Sequence, residues 1–146
     1  MISVDITAPG WPKDAETIAQ TAAQATKDHL AKPGPQSLVI RLSDDAEVKT
    51  LNAQYRDQDK PTNVLSFPAP PPTDQLHAGD LILAYETCAR EAHEQAKSLA
   101  NHLSHLVVHG VLHLYGFDHM VDTEAEEMET LERVILARLN IKDPYA

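Results

Sequence analysis

The chain has 146 residues, 42% of them hydrophobic, which is enough for a packed core, and we expect residues 1–146 to form a single domain. Its formal net charge of −10 at pH 7 argues against a nonspecific nucleic-acid binder, because such proteins are normally basic. Seven of the 22 acidic residues lie in residues 118–132, so the rest of the chain is nearly balanced, with 12 basic and 15 acidic residues. A local basic groove is therefore compatible with the charge, but any contact with RNA must be confined and helped by other forces.

The sequence shows no sign of a membrane span or of export. No apolar run reaches the length of a membrane-spanning helix, and the N-terminus lacks both a basic start and a long apolar stretch. Cys88 is the single cysteine, so no internal disulfide can form, which suits a reducing compartment. We expect a soluble cytoplasmic protein, and the oligomeric state is left open.

Hydropathy patterns along the chain predict both strands and helices. Strands are predicted at residues 2–6, 38–42, 64–67 and 81–84, and helices at residues 14–30, from residue 44 onward, and at residues 86–98, 100–115 and 123–139. The second helix is predicted to begin at Asp44, because Glu47 follows three residues later as in a capping box. This mixture of strands and helices is typical of an α+β fold.

The predicted helix at residues 100–115 carries an unusual row of histidines. His102, His105, His109 and His113 fall within about 60° of arc on one side of the helix, since successive residues turn by about 100°. The other sides carry mostly leucine and valine, which indicates a buried helix. Because unpaired buried polar groups are costly, we expect these imidazoles to face a polar cavity or a metal ion.

Three histidines have the spacing of metal ligands. His109 and His113 lie one helical turn apart, as in zinc sites built on a single helix. Gly116 predicts the end of that helix, after which a turn can bring His119 back to the same ion. Three imidazoles and one open position are the ligand set of a catalytic zinc site, whereas a structural site needs a fourth ligand, usually a cysteine, and nothing places Cys88 near. We therefore predict one Zn²⁺ per chain, bound by His109, His113 and His119.

The same spacing occurs in the zincin-type metalloprotease helix, H-E-x-x-H-x-x-G-x-x-H. In this chain Gly110 stands where those enzymes carry the glutamate that acts as general base. Loss of a general base typically costs about 10²–10⁴-fold in rate, so a peptidase-type zinc hydrolase is disfavoured and stays an alternative. The second alternative is a non-catalytic binding or assembly factor in which zinc only stabilises the fold.

The block from His109 to His119, with the sequence HGVLHLYGFDH, resembles the signature of the YbeY family of bacterial rRNA-processing endoribonucleases. Other segments resemble the same family at Leu51–Asn52, Arg56, Pro61–Pro68, Gly79–Leu81, Glu124–Met128 and Glu132. The resemblance thus covers roughly residues 40–140. Asn63 stands where the family frequently has aspartate and Phe117 where it frequently has tyrosine, and neither position is a predicted metal ligand.

This resemblance implies a single-strand-specific, metal-dependent endoribonuclease of the cytoplasm. The family matures the 3′ end of small-subunit rRNA and acts in ribosome quality control. The implied partners are therefore an rRNA precursor and the small ribosomal subunit or its proteins. The non-catalytic alternative then becomes an rRNA-binding or ribosome assembly factor with a structural zinc. The implied fold is a mixed four-stranded sheet packed by about five helices, with a zincin-like metal helix.

Four residues outside the metal ligands are candidates for contact with RNA. Arg56 matches the family's arginine, and we expect it to stabilise the negative charge that develops on the phosphate. Lys60, Asn63 and Ser66 are candidate substrate-binding residues, although Asn63 and Ser66 fit structural roles equally well.

The proton-transfer groups are not settled by the sequence. A zinc ion lowers the pKa of bound water toward about 7 and polarises a phosphoryl oxygen, so either activated water or the RNA 2′-hydroxyl can be the nucleophile. His105 and zinc-bound hydroxide are both candidates for the general base. His105 fits equally well as a partner of a metal ligand or as an RNA contact.

Overall fold

The computed structural model describes residues 1–31, 37–69, 77–118 and 121–145. In these ranges the strands are β1 (Ile2–Ile6), β2 (Ser37–Ser43), β3 (Val64–Pro68) and β4 (His77–Ala84). The helices are α1 (Ala15–His29), α2 (Asp45–Arg56), α3 (Tyr85–Glu94), α4 (Leu99–Leu114) and α5 (Asp122–Arg138). No helix in the described ranges has the length and apolar character needed to cross a membrane.

The four strands form one mixed sheet in the order β1-β2-β4-β3. β1 and β4 each run parallel to β2, whereas β3 runs antiparallel to β4 and lies at the edge of the sheet. With five helices in the described residues, this arrangement confirms the α+β fold and the mixed four-stranded sheet. The edge position of β3 leaves one side of that strand free to border a cleft.

The main hydrophobic core lies between one face of the sheet and helices α1, α4 and α5. Its buried side chains come from all of these elements and include Leu38, Ile40, Leu42, Leu83, Ala19, Ala22, Leu103, Val107, Val111, Ile135 and Leu136. The small alanines of α1 allow this helix to pack closely against α4. α4 is therefore the buried central helix that its sequence predicts. A second, smaller core, formed by Val48, Leu65, Ile82 and Ala84, lies under α2 on the opposite face of the sheet.

The helix ends follow from local side chains. Asp44 caps α2 by accepting a hydrogen bond from the backbone N–H of Glu47 at 2.9 Å, which confirms the predicted start of this helix. Ser98 caps α4 in the same way through the backbone N–H of Asn101. α4 ends before Gly116, whose φ of 96° is the left-handed conformation that favours glycine. The predicted helix stop is therefore confirmed.

Two predicted boundaries are wrong. β4 begins at His77, four residues before the predicted start, because its first half pairs with β2 on one side and with the end of β3 on the other. α3 ends at Glu94 instead of residue 98, because Ala96 has a positive φ of 54° and the chain then turns to the cap of α4. The start of β4 depends on pairing between strands, and the end of α3 on a left-handed residue that is not glycine, and local hydropathy reports neither.

Candidate metal centre

α4 brings two of the three predicted metal ligands together. The Nε2 atoms of His109 and His113 lie 3.1 Å apart, and their ring centroids are 4.6 Å apart. Zn–N bonds of about 2.0–2.1 Å at a tetrahedral angle place two ligand nitrogens about 3.3 Å apart, so the observed spacing fits a shared ion. His119, the third predicted ligand, lies outside the described residues. Within the described ranges no group of three or more His, Cys, Asp or Glu side chains is placed to hold a metal.

A buried carboxylate from α5 lies directly behind these histidines. Glu132 has no exposed surface, and its Oε1 accepts hydrogen bonds from Nδ1 of His109 and from Nε2 of His105, both at 3.0 Å. Its Oε2 accepts a hydrogen bond from the hydroxyl of Tyr145 at 2.8 Å. Burial alone raises the pKa of Glu132, but the hydrogen bonds from His105 and His109 outweigh it and lower the pKa to about 2.

The ionised state of Glu132 determines the tautomer of His109. A carboxylate only accepts hydrogen bonds, so Nδ1 of His109 must carry the proton. Nε2 of the same ring then points toward Nε2 of His113. This is the carboxylate–histidine arrangement that orients zinc ligands in metalloproteins. The donor set and its support therefore fit a zinc ion at Nε2 of His109 and His113.

His105 is placed behind the candidate centre, on the same side as Glu132. Its Nε2 is occupied by Glu132, and its ring makes an edge contact with the ring of Tyr145. It does not line the cleft above His109 and His113 but a neighbouring cleft that it shares with Tyr145. The structure thus places His105 beside Glu132, which supports the predicted ligand His109. His105 does not line the main cleft.

His102 is buried and belongs to a separate polar pair. Its Nε2 donates to Oε1 of Glu91 at 2.9 Å, and the same oxygen accepts a hydrogen bond from Nδ2 of Asn63 at 3.0 Å. Burial lowers the pKa of His102, and the hydrogen bond to Glu91 acts in the opposite direction. Asn63 is held a second time, because its Oδ1 accepts from the backbone N–H of Val64 at 2.7 Å. The buried pair thereby fixes the amide of Asn63 at the start of β3.

A cleft of about 580 Å³ opens above the two histidines, between β3 and the end of α4. It is lined by Arg56, Thr62, Asn63, Val64, Leu65, Ser66, Pro68, His109, His113, Gly116, Phe117 and Asp118. The structure therefore gathers three of the predicted RNA-contact residues around the candidate centre. The fourth, Lys60, is exposed in the loop before β3 and does not line this cleft.

Arg56 is held at the outer edge of β3. It is the last residue of α2, its Nη2 atom donates to the carbonyl of Ser66 at 2.6 Å, and its guanidinium carbon lies 5.5 Å from the ring centroid of Phe67. On the inner side of the strand, the hydroxyl of Ser66 donates to the carbonyl of Gly110 at 3.4 Å. The hydrogen bond to Ser66 uses one nitrogen of the guanidinium group, and Arg56 also lines the cleft.

Gly110 occupies a position crowded by the side chain of Leu81. A Cβ atom there would lie 2.7 Å from Cδ2 and 3.0 Å from Cδ1 of Leu81, which is buried in β4. A glutamate here, as in the metalloprotease helix, would therefore clash with a side chain of the sheet. The absence of that general base has a packing reason as well as a chemical consequence.

Sequence reasoning missed Glu132, Tyr145 and Glu91 as supports of the site. Glu132 belongs to the acidic stretch at residues 118–132, but it lies four residues after Met128 and three before Ile135, on the buried side of α5. A charged residue on an otherwise apolar stripe is the signal that could have identified it. Tyr145 and Glu91 carry no comparable local signal.

Comparison with known proteins gives a consistent family. A family model described as endoribonuclease YbeY matches residues 5–140. The endoribonuclease YbeY of Chelativorans sp. (strain BNC1) is 57% identical over 142 residues, which cover 93% of this chain and 87% of that protein. The endoribonuclease YbeY of Paramagnetospirillum magneticum (strain ATCC 700264 / AMB-1) is 51% identical over 155 aligned residues, which cover 99% of this chain and 94% of that protein.

A solved structure has the same fold. The solution structure of protein TM1509 from Thermotoga maritima superposes with a TM-score of 0.62 over 96% of this chain and 92% of that chain. The two sequences are 24% identical, so this likeness concerns the fold alone.

Proposed function

The chain belongs to the YbeY family of endoribonucleases, and we propose that it cuts single-stranded RNA with the help of one zinc ion bound by His109, His113 and His119. Family membership gives the reaction class, which is hydrolysis or transesterification of an RNA phosphodiester. The metal, its ligands and the roles of the surrounding residues are our proposal.

One observation carries the metal proposal. Glu132 is buried, accepts a hydrogen bond from Nδ1 of His109, and so leaves Nε2 of that ring facing Nε2 of His113 at 3.1 Å. Taking a carboxylate fully out of water is costly unless it is paired, and here it orients an imidazole. A separation of 3.1 Å is also that of a hydrogen bond between the two rings, so it is the buried carboxylate behind His109 that supports a metal here.

The residues around the pair suit a phosphodiester. When bound, a zinc ion lowers the pKa of a coordinated water and polarises a phosphoryl oxygen. Arg56 lines the same cleft and offers planar N–H donors, which match phosphate oxygens. Asn63 and Ser66 line the wall between them, and we assign them to holding the RNA strand against β3. Lys60 remains a predicted contact for RNA outside the cleft.

The placement of His105 favours a supporting role over that of a general base. Its Nε2 is engaged with Glu132, and its Nδ1 is buried without a hydrogen-bond partner in the described part of the chain. Proton transfer to substrate needs hydrogen-bond reach, directly or through one water. We therefore assign His105 to positioning Glu132, and through it His109.

A peptidase is not supported by this site. Gly110 stands where zincin-type peptidases carry their glutamate, and a side chain at this position would clash with Leu81 unless Leu81 shifts. We further propose, on the family resemblance, that the substrates are precursors of small-subunit rRNA and that the enzyme works in the cytoplasm with the small ribosomal subunit or its proteins.

The proposal is tested with His113→Ala and a matched control, His93→Ala, which removes an exposed histidine of α3. Purified proteins are compared for zinc content, for binding of a single-stranded RNA and for its cleavage. We expect His93→Ala to behave as the original protein, whereas His113→Ala folds and binds RNA but neither retains zinc nor cuts. Cleavage by His113→Ala at the original rate contradicts the catalytic metal. An original protein that binds zinc and RNA without cutting would favour the non-catalytic assembly factor.

A further inference from the structure

An aromatic pair lies on the face of the sheet opposite the metal cleft. Tyr55, near the end of α2, has 62% of its surface exposed, and its ring meets the ring of Phe67 edge to face with centroids 5.7 Å apart. Phe67 is half buried against the small core under α2, so the pair is anchored from below. A single exposed aromatic residue is common on protein surfaces, but an anchored pair beside a cavity has the form of a binding surface.

The pair borders a groove of about 370 Å³. Its lining is formed by Val39, Arg41, Leu51, Tyr55, Phe67, Asp80, Leu81 and Ile82. Most of this lining is apolar, and Arg41 and Asp80 add a donor and an acceptor. Both charged side chains have one fixed contact each, with Glu47 and His77 respectively. A mainly apolar groove of this size with a few polar groups suits one planar ligand with polar edges.

The edge strand β3 separates this groove from the metal cleft by the thickness of one strand. Successive side chains of a strand point to opposite faces, so Ser66 borders the metal cleft while Phe67 borders the groove. Arg56 joins the two cavities at the open edge of β3, because it donates to the carbonyl of Ser66 and lies over the ring of Phe67. A chain that passes over this edge therefore meets the groove, Arg56 and the metal cleft in succession.

We propose that the groove bordered by Tyr55 and Phe67 is a nucleobase subsite for the single-stranded RNA that the metal cleft cuts, which deepens the proposed function and rests on it. One base stacks on the Tyr55 ring, the adjoining phosphate lies at Arg56, and the strand continues over β3 to His109 and His113. Unstacked bases of single-stranded RNA bind to aromatic side chains in this way, and a paired base cannot. The subsite also supplies an attraction that does not depend on charge, which a chain with a formal charge of −10 needs.

The test combines a protein variant that lacks the Tyr55 ring with RNAs that lack one base. Binding of a short single-stranded RNA is measured by fluorescence anisotropy for the original protein and Tyr55→Ala, in chelator so that no cutting occurs. The same measurement is repeated with RNAs that lack the base at one position, moved along the strand. Tyr55→Phe keeps the ring, and Val134→Ala serves as the control for loss of an exposed apolar side chain on α5, which has 41% of its surface exposed.

We expect Tyr55→Ala to weaken RNA binding by about 5- to 150-fold, the range of one base stacked on one aromatic ring. Tyr55→Phe should restore most of this loss, and Val134→Ala should change nothing. Removal of the base at one particular position should weaken the original protein equally and should not weaken Tyr55→Ala further. Unchanged binding by Tyr55→Ala, or the same added loss for each missing base in both proteins, overturns the subsite.

Zinc-loaded original protein is assayed on the intact RNA in parallel. Cleavage of that RNA together with unchanged binding by Tyr55→Ala refutes the subsite and leaves the proposed function standing. Absence of both cleavage and binding in the original protein refutes the proposed function, and the subsite with it.

Discussion

Glu132 and His109 are joined by a 3.0 Å hydrogen bond between a fully buried carboxylate oxygen and Nδ1 of the imidazole, across 23 residues of sequence. The bond assigns the proton of His109 to Nδ1 and leaves Nε2 for a metal ion. It therefore couples the packing of α5 to the chemistry at the end of α4.

Replacement of Glu132 by glutamine tests that coupling. Glutamine keeps the size but removes the charge and places a donor among the His105 and His109 donors, so the tautomer of His109 is no longer fixed. We expect zinc affinity to fall by about 10- to 100-fold, as measured by competition with a chromophoric chelator. Glu127→Gln, on the exposed side of the same helix, is the control. Equal affinities of the two variants would show that Glu132 does not orient the ligand.

Replacement of Tyr145 by phenylalanine removes one hydrogen bond from the same carboxylate. Its hydroxyl donates to Oε2 of Glu132 at 2.8 Å, and water can partly replace it because Tyr145 is 40% exposed. We expect a loss of about 1 kcal/mol in the free energy of unfolding, measured by urea denaturation of the metal-free protein. Zinc affinity should fall less than in Glu132→Gln. If Tyr145→Phe lowered zinc affinity more than Glu132→Gln does, Glu132 would not be the main support of the metal ligand.

Replacement of Gly110 by alanine tests the packing reason for the missing glutamate. The added Cβ would lie 2.7 Å from the side chain of Leu81, and overpacking of this kind typically costs about 1–3 kcal/mol. Alanine gains about 1 kcal/mol over glycine in a helix, so we expect a net loss of stability in thermal or urea unfolding. A variant more stable than the original would mean that Leu81 moves aside without cost. Gly110→Glu should show no peptidase activity on a peptide library.

Arg56 is expected to act on the phosphate through its planar fork of donors. Arg56→Ala should lower the single-turnover rate of RNA cleavage by about 10²–10³-fold, the usual effect of removing one donor from a developing charge. Arg56→Lys keeps the charge but not the fork, so its rate should lie between the two. Zinc content should be the same in all three proteins. A rate for Arg56→Ala within a few-fold of the original would remove Arg56 from the reaction.

The buried pair of His102 and Glu91 gives a pH dependence with a defined sign. Burial lowers the pKa of folded His102 below 6.5, with Lys97 and His105 also disfavouring its charged form and Glu91 favouring it. The unfolded chain therefore binds more protons just below pH 6.5, so the stability contributed by neutral His102 is present above that pH and is lost as the pH falls. His102→Gln lacks this titration. We expect the stability gap between the original protein and His102→Gln, from urea denaturation, to be smaller at pH 5.5 than at pH 8, and a gap that widens at pH 5.5 contradicts the assignment.

Local sequence patterns predicted the helices and strands well, but they did not predict the contacts between these elements. Periodicity and the glycine stop gave α4 and the pair His109 and His113, because both signals act within one helix. The early start of β4 depends on pairing with β2, and the buried role of Glu132 depends on packing of α5 against α4. Tyr145 reaches Glu132 from the C-terminal segment, and no local spacing reports such a contact. Sequence patterns therefore placed His109 and His113 side by side in α4 but did not indicate the residues that support them.

A zinc titration of RNA cleavage tests directly whether the bound ion is catalytic. Protein freed of metal by a chelator, and shown to be metal-free by elemental analysis, is given zinc in steps while the cleavage rate of a single-stranded RNA is followed. The rate should be near zero at the start, rise in proportion to bound zinc and level off at one ion per chain, and His113→Ala should not respond. Cleavage at the full rate by the metal-free protein would contradict a catalytic role for zinc.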